Sequence, residues 1–296
     1  MRHLTTLLIW LLGFSAGGAA QPALAEATGA PDVLVLGDSQ LTFGSGVAFV
    51  ELFNDLAGSC GLDTGATVGV IGVRSSTLRA WTGDSRRSRS AICDVDPTWH
   101  VNAGAYGTLS QGENPYIQIG QGAQFQFCQS GRSPLEAVFA DNYYRPKLLV
   151  MFLLGNAAER WAGDPLAALA DVQATMADLP DDQPCIFMTT APPYRQSVVD
   201  LRQRAQDNLQ RAFEQSGMQC SFVAGITPET IAANVGNAEH FRRRDSGQVR
   251  DPFHPTEQAA REFLELERPA LCAAIQAQLG ANRPVHHEVA TGLTQM

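Results

Sequence analysis

Five short apolar runs, most of them stopped by a turn-forming residue, constrain the fold of this chain more than any other feature. Val33 to Leu36 stops at Gly37-Asp38-Ser39, and residues 66–73 (ATVGVIGV) end beside Gly72. Residues 147–154 (KLLVMFLL) stop at Gly155-Asn156, 185–190 (CIFMTT) at Ala191-Pro192-Pro193, and 220–224 (CSFVA) form the fifth run. Apolar runs of this length without polar alternation read as strands covered on both faces. The intervening stretches carry apolar residues at helical spacing. These include Phe49, Leu52, Phe53 and Leu56 within 47–57, and Leu166, Leu169, Val172 and Met176 behind an Asp164 cap and Pro165. Residues 201–216 read as a charged amphipathic helix, and Pro255 opens a terminal helix with Ala260, Phe263 and Leu264 inward, kinked or restarted at Pro269. Strand, helix and strand in repetition give right-handed βαβ units. The expected fold is therefore α/β: a three-layer αβα sandwich on a five-stranded, mostly parallel sheet, in the flavodoxin-like order 2-1-3-4-5.

Residues 74–146 break that rhythm. Tyr116-Ile117-Gln118-Ile119 and Phe125-Gln126-Phe127 alternate apolar with polar on either side of Gly120-Gln121-Gly122, which predicts a β-hairpin inside an insertion of about 82–146. Such an insertion beside the strand ends either shapes substrate access or is a structural flap. Residues 1–25 read as a secretory signal. Arg2 and His3 precede a short apolar core (Leu7 to Phe14), and Ala23-Leu24-Ala25 supplies small residues for cleavage. Residues 26–283 then form one domain and 284–296 a loose tail. The expected location is periplasmic or secreted, with no stable membrane insertion, since the apolar core is too short to span a bilayer.

A net charge of −9 argues against a nucleic-acid partner. The one basic cluster, Arg242-Arg243-Arg244, is followed at once by Asp245 and reads as a solvated loop. Six cysteines, Cys60, Cys93, Cys128, Cys185, Cys220 and Cys272, favour disulfides in an oxidising compartment. Their pairing stays open, although Cys185 and Cys220 begin two runs expected to be neighbouring strands. No Cys-x-x-Cys or His-rich spacing suggests a metal site, and no cofactor is expected. The oligomeric state is not legible.

The strand ends carry the chemistry. Ser39 stands on the turn after the first run, where open α/β sheets collect ligands. Asp251-Pro252-Phe253-His254-Pro255 offers a base and an orienting carboxylate three residues apart. A serine hydroxyl is a weak nucleophile until a base takes its proton, and a neutral imidazole is suited to that task. His100, His240, His286 and His287 lack a carboxylate at comparable spacing. Trp81, Trp99 and Trp161 lie near the strand ends, where they could stack on sugar rings or simply pack.

With Gly37-Asp38-Ser39 near one end, Asp251-x-x-His254-Pro255 near the other and the Thr190 to Pro193 turn between them, the chain resembles an SGNH hydrolase of the GDSL esterase and lipase superfamily. The resemblance implies a catalytic Ser39, Asp251 and His254. It also implies an oxyanion hole built from the N–H of Ser39, Gly72 and Asn156, with Asn156 one residue earlier than the family's Gly-x-Asn block. It points to an exported serine esterase acting on a small acyl ester, with an O-acetyl group on a cell-envelope or extracellular carbohydrate as the expected substrate. The alternatives are a polysaccharide O-acyltransferase, a lipid or lysophospholipid esterase, and a non-catalytic glycan-binding module.

Overall fold

The structure, a computed structural model, describes residues 31–55, 60, 67–83, 92–93, 117–119, 127–129, 131–217 and 219–280. The expected signal segment, the tail from 284 and most of the middle section lie outside these residues. Among the described residues six strands form one sheet: β1 (Val33–Gly37), β2 (Val68–Gly72), β3 (Ile117–Ile119), β4 (Leu148–Phe152), β5 (Cys185–Met188) and β6 (Cys220–Val223). Their order is β3-β2-β1-β4-β5-β6, and every pair is parallel. The five strands expected from the apolar runs are present in the expected order. The sheet is larger by one edge strand, because Ile117–Ile119 pairs in parallel with β2. Of the other expected hairpin arm only Phe127 lies within the described residues, and it is buried.

Each central strand is buried along its whole length because it faces two cores. Leu34 and Leu36 of β1 join Ile71, Leu149, Met151 and Phe187 on one face of the sheet. Val33 and Val35 join Val70, Val150, Ile186 and Met188 on the other. That two-sided demand explains the unbroken apolar runs. The second face is closed by α1 (Gly46–Asp55), which supplies Phe49 and Phe53, and by α8 (Glu257–Leu279), which supplies Phe263 and Leu264. The first face is closed by α2 (Leu78–Thr82), α3 (Pro134–Phe139), α4 (Ala158–Gly163), α5 (Pro165–Asp178) and α6 (Gln196–Gln215). A short α7 (Pro228–Asn234) follows β6.

Several local expectations shift. Helical backbone begins at Ser39, well before residue 47, and passes through a wide turn over Leu41–Ser45 that Gly44 breaks at φ 146°. A Cβ at Gly44 would also press within 3.1 Å of the Glu257 backbone nitrogen, so that position needs glycine twice over. Asp164 does cap α5, accepting from the Leu166 N–H, with Pro165 in the first turn. Leu166 itself is 73% exposed, and the buried stripe is Ala167, Ala168, Asp171, Val172 and Thr175. Helix α8 starts two residues after Pro255, capped by Thr256, and runs on through Pro269.

All six cysteines pair: Cys60 with Cys272, Cys93 with Cys128, and Cys185 with Cys220. The last pair are register partners in adjacent strands. Among the described residues no helix is long and apolar enough to cross a membrane.

Candidate active site

The site is built where β1 and β4 end. Gly37 is pinned between strands, since an added Cβ would lie 2.4 Å from the Phe152 carbonyl oxygen. The chain therefore turns sharply at Asp38 and leaves Ser39 half-buried at the carboxyl edge of the sheet. Asp38 stabilises that turn by accepting the Gln40 N–H at 2.8 Å. Gln40 then clamps the distant loop, donating from Nε2 to the Phe253 carbonyl at 3.1 Å and to the Ala191 carbonyl at 3.4 Å. Further backbone bonds fix the loop on both sides: Tyr194 N–H to the Pro252 carbonyl at 2.9 Å and Thr256 N–H to the His240 carbonyl at 2.8 Å.

These constraints bring residues 215 apart in sequence into contact. Ser39 Oγ lies 2.8 Å from His254 Nε2. On the far side of the ring, His254 Nδ1 lies 2.9 Å from Asp251 Oδ2 and 3.0 Å from Oδ1. The Asp251 carboxylate only accepts, so Nδ1 carries the proton and the lone pair of Nε2 faces the serine hydroxyl. Asp251 also accepts the Phe253 N–H at 3.1 Å and the His254 N–H at 3.2 Å, and Arg242 donates to its other oxygen. Burial works to raise its pKa, but His254, the Phe253 N–H and Arg242 outweigh burial and hold the carboxyl well below the usual range. Arg242 thus belongs to the site, where the charge pattern suggests only a solvated loop. It also lies over the Phe43 ring at 4.3 Å, with Arg74 at 4.5 Å. Phe43 in turn packs against the His254 ring at 4.3 Å between centroids.

The cleft in front of Ser39 encloses about 350 Å³ and is walled by Asp38, Phe43, Arg74, Ser75, Gly155, Asn156, Arg202, Phe253 and His254. Asn156 stands in this wall despite its early position, because Gly155–Ala157 turns tightly straight after β4. Its Nδ2 donates to the Ser76 carbonyl at 3.0 Å and reaches Asp38 Oδ2 at 3.5 Å. Gly72 is not in the wall. It is the last residue of β2, sealed beneath Leu41 and Thr42, where an added Cβ would meet Thr42 Cγ2 at 2.8 Å. Close packing accounts for that glycine. The wall on this side is formed by Arg74 and Ser75, with Ser75 in the left-handed region at φ 62°, which non-glycine residues seldom adopt.

Trp81 and Trp161 are 2% and 0% exposed, so neither offers a face to a sugar ring. Trp161 instead donates its indole N–H to Asp171 at 2.8 Å. His240 is buried between Asn234 and Glu262 and does not line the cleft. Trp99, His100, His286 and His287 lie outside the described residues. Among the described residues no group of three His, Cys, Asp or Glu side chains is placed to hold a metal ion.

Phe43, Arg74, Ser75 and Arg202 stand in the wall without having been flagged by the sequence alone. Arg202 occupies a buried position on α6, in line with Val199, Gln206, Leu209 and Phe213. A charge recurring on an apolar helical stripe was the signal available. Ser75 carries no such signal, because a left-handed serine cannot be told from any other serine in a turn.

Fold and site define the class: an α/β protein on a wholly parallel sheet, with serine, histidine and aspartate side chains in line at its carboxyl edge. No family model and no curated protein matches the chain. Among solved structures it is similar to an active-site mutant of a family two carbohydrate esterase from Clostridium thermocellum, at 13% identity and a TM-score of 0.40. The match covers 84% of this chain and 64% of that one, so this chain spans a little under two thirds of that esterase. A putative SGNH hydrolase from Slackia heliotrinireducens is 16% identical, with 83% of this chain and 100% of that chain covered and a TM-score of 0.40. The catalytic domain of peptidoglycan O-acetyltransferase A from Streptococcus pneumoniae is 12% identical, with 84% and 96% covered and a TM-score of 0.39.

Proposed function

We propose that the protein is an exported serine esterase that hydrolyses a small acyl ester, an O-acetyl group on a carbohydrate being the preferred substrate. The observation that carries this reading is the unbroken line from Ser39 Oγ through His254 to Asp251, with contacts of 2.8 and 2.9 Å. Ser39 Oγ attacks the ester carbonyl while its proton passes to His254 Nε2. The alcohol then leaves with that proton, giving an acyl-serine. Water repeats the sequence in reverse and releases the acid. Asp251, held ionised, fixes the imidazole tautomer and stabilises the imidazolium.

The developing oxyanion is met by the Ser39 N–H and the Asn156 amide. A further backbone donor comes from the Arg74-Ser75 segment, in place of Gly72. Three disulfides support a location in an oxidising compartment, periplasmic or secreted.

Incubation with a serine-directed fluorophosphonate, followed by peptide mapping, tests nucleophile, activation and access together. Adduct formation on Ser39 is expected, with loss of labelling in His254→Ala. An unlabelled Ser39 in folded protein overturns the reading. Product analysis with a glycan acceptor separates hydrolysis from acyl transfer.

A further inference from the structure

The cleft holds a buried cation that the hydrolytic machinery leaves unused. Arg202 is 7% exposed and lines the cleft beside Ser39. Its guanidinium abuts Gly155, where an added Cβ would lie 2.6 Å from Nη2, so glycine at 155 is what lets the group reach the wall. Phe253 covers it from the other side, with the ring centroid 5.8 Å from Cζ.

Arg202 forms no hydrogen bond or ion pair among the described residues, and its Nη1 is a fully buried donor without a partner. Gln206, one turn further along the same stripe, shows what a satisfied polar group looks like here. It accepts from Thr189 Oγ1 and the Ile226 N–H and donates to the Ile226 carbonyl at 3.0 Å. The acid nearest in effect to Arg202 is Asp38, whose oxygens already take the Gln40 N–H at 2.8 Å and the Asn156 amide at 3.5 Å. A desolvated guanidinium is costly unless an anion meets it. The surroundings fit one: among the described wall residues, in a protein of net charge −9, Asp38 is the one carboxylate beside Arg202, and it is already engaged by Gln40 and Asn156.

We propose that Arg202 is a carboxylate-selecting residue, so that the preferred ester bears a carboxylate near the scissile bond, on the sugar or on the acyl chain. This rests on the esterase reading above. The planar guanidinium fork matches a carboxylate in two parallel hydrogen bonds, which neutral hydroxyls cannot reproduce.

The test compares kcat/KM for two matched pairs at low ionic strength. One pair is mono-O-acetylated methyl galacturonoside against the corresponding galactoside, and the other is nitrophenyl hemisuccinate against nitrophenyl butyrate. In the wild type the charged member of one pair should win by about tenfold or more, and the winning pair tells which half of the substrate carries the anion. Arg202→Gln should bring that ratio close to one, and Arg202→Lys should retain part of it. Ratios near one in both wild-type pairs overturn the proposal while leaving the esterase intact. A preference that survives Arg202→Gln moves the selection to another residue and overturns it as well.

If Arg202→Gln does not fold, competition settles the matter in the wild type. Free methyl galacturonoside or succinate should inhibit hydrolysis of nitrophenyl butyrate where methyl galactoside does not, and equal effects are adverse. If no ester is turned over at all, the esterase reading fails by itself. Calorimetry with methyl galacturonoside and succinate then decides the anion site, with binding supporting it and no heat from either overturning it.

Discussion

At the scale of single residues, Ser39 and Asn156 make opposite demands on an experiment. Ser39 stands on a surface turn, so Ser39→Ala removes the proposed nucleophile without disturbing either core. Turnover should fall by about ten-thousandfold or more with an unchanged thermal midpoint, checked by steady-state assay and calorimetry. Asn156 has one amide hydrogen committed to the Ser76 carbonyl at 3.0 Å, while its 3.5 Å approach to Asp38 is loose enough to be exchanged for a developing oxyanion. An interaction made only in the transition state shows in kcat and not in KM. Asn156→Ala should therefore lower kcat by roughly a hundredfold at nearly constant KM. A change confined to KM would make Asn156 a ground-state binder.

At the scale of elements, the sheet was readable and its borders were not. Strands β1, β2, β4, β5 and β6 announce themselves because burial on both faces forbids polar alternation. Strand β3 lies at the edge of the described sheet and alternates apolar with polar residues, so the sequence reads Ile117–Ile119 as a hairpin arm and gives no sign of its parallel pairing with β2; most of the other arm lies outside the described residues. The Ser39, His254 and Asp251 constellation was legible from residue type and spacing. The Arg242 contact and the exclusion of Gly72 were not, because both depend on which side chains the turns after β1 and β2 bring alongside.

The disulfides add a test at this scale. Cys60–Cys272 closes a separation of 212 residues and anchors Cys60, five residues beyond α1, to α8, whereas Cys185–Cys220 closes 35 between adjacent strands. If the bridges act mainly on the unfolded chain, losing the longer one costs roughly 1.5 kcal/mol more. Denaturant titration of the Cys60→Ala/Cys272→Ala and Cys185→Ala/Cys220→Ala double variants checks this. Equal losses would place the effect in the native state.

Over the whole molecule, the half-buried Asp251 and the buried Glu267 pull stability in opposite directions with pH. Asp251 has its pKa depressed in the folded protein. Its contribution is present above the ordinary aspartate range and disappears as pH falls through the lowered value. Glu267 on α8 is the reverse case. Burial raises its pKa, the hydrogen bond from Thr227 Oγ1 at 2.9 Å offsets part of the rise, and the Glu229 charge adds to it. A carboxyl whose folded pKa is raised weakens the fold as pH climbs through the ordinary glutamate range to the raised value, and the penalty stays constant above it. Glu267→Gln keeps an acceptor for Thr227 and removes the buried charge. Its thermal midpoint should therefore exceed the wild type at about pH 8, with the gain shrinking toward about pH 4, where the native carboxyl is largely protonated in both states. A gain of the same size at both pH values would mean that packing, and not ionisation, separates the two side chains. A loss at both would show that the amide packs or accepts from Thr227 less well than the carboxyl whatever the charge of the latter.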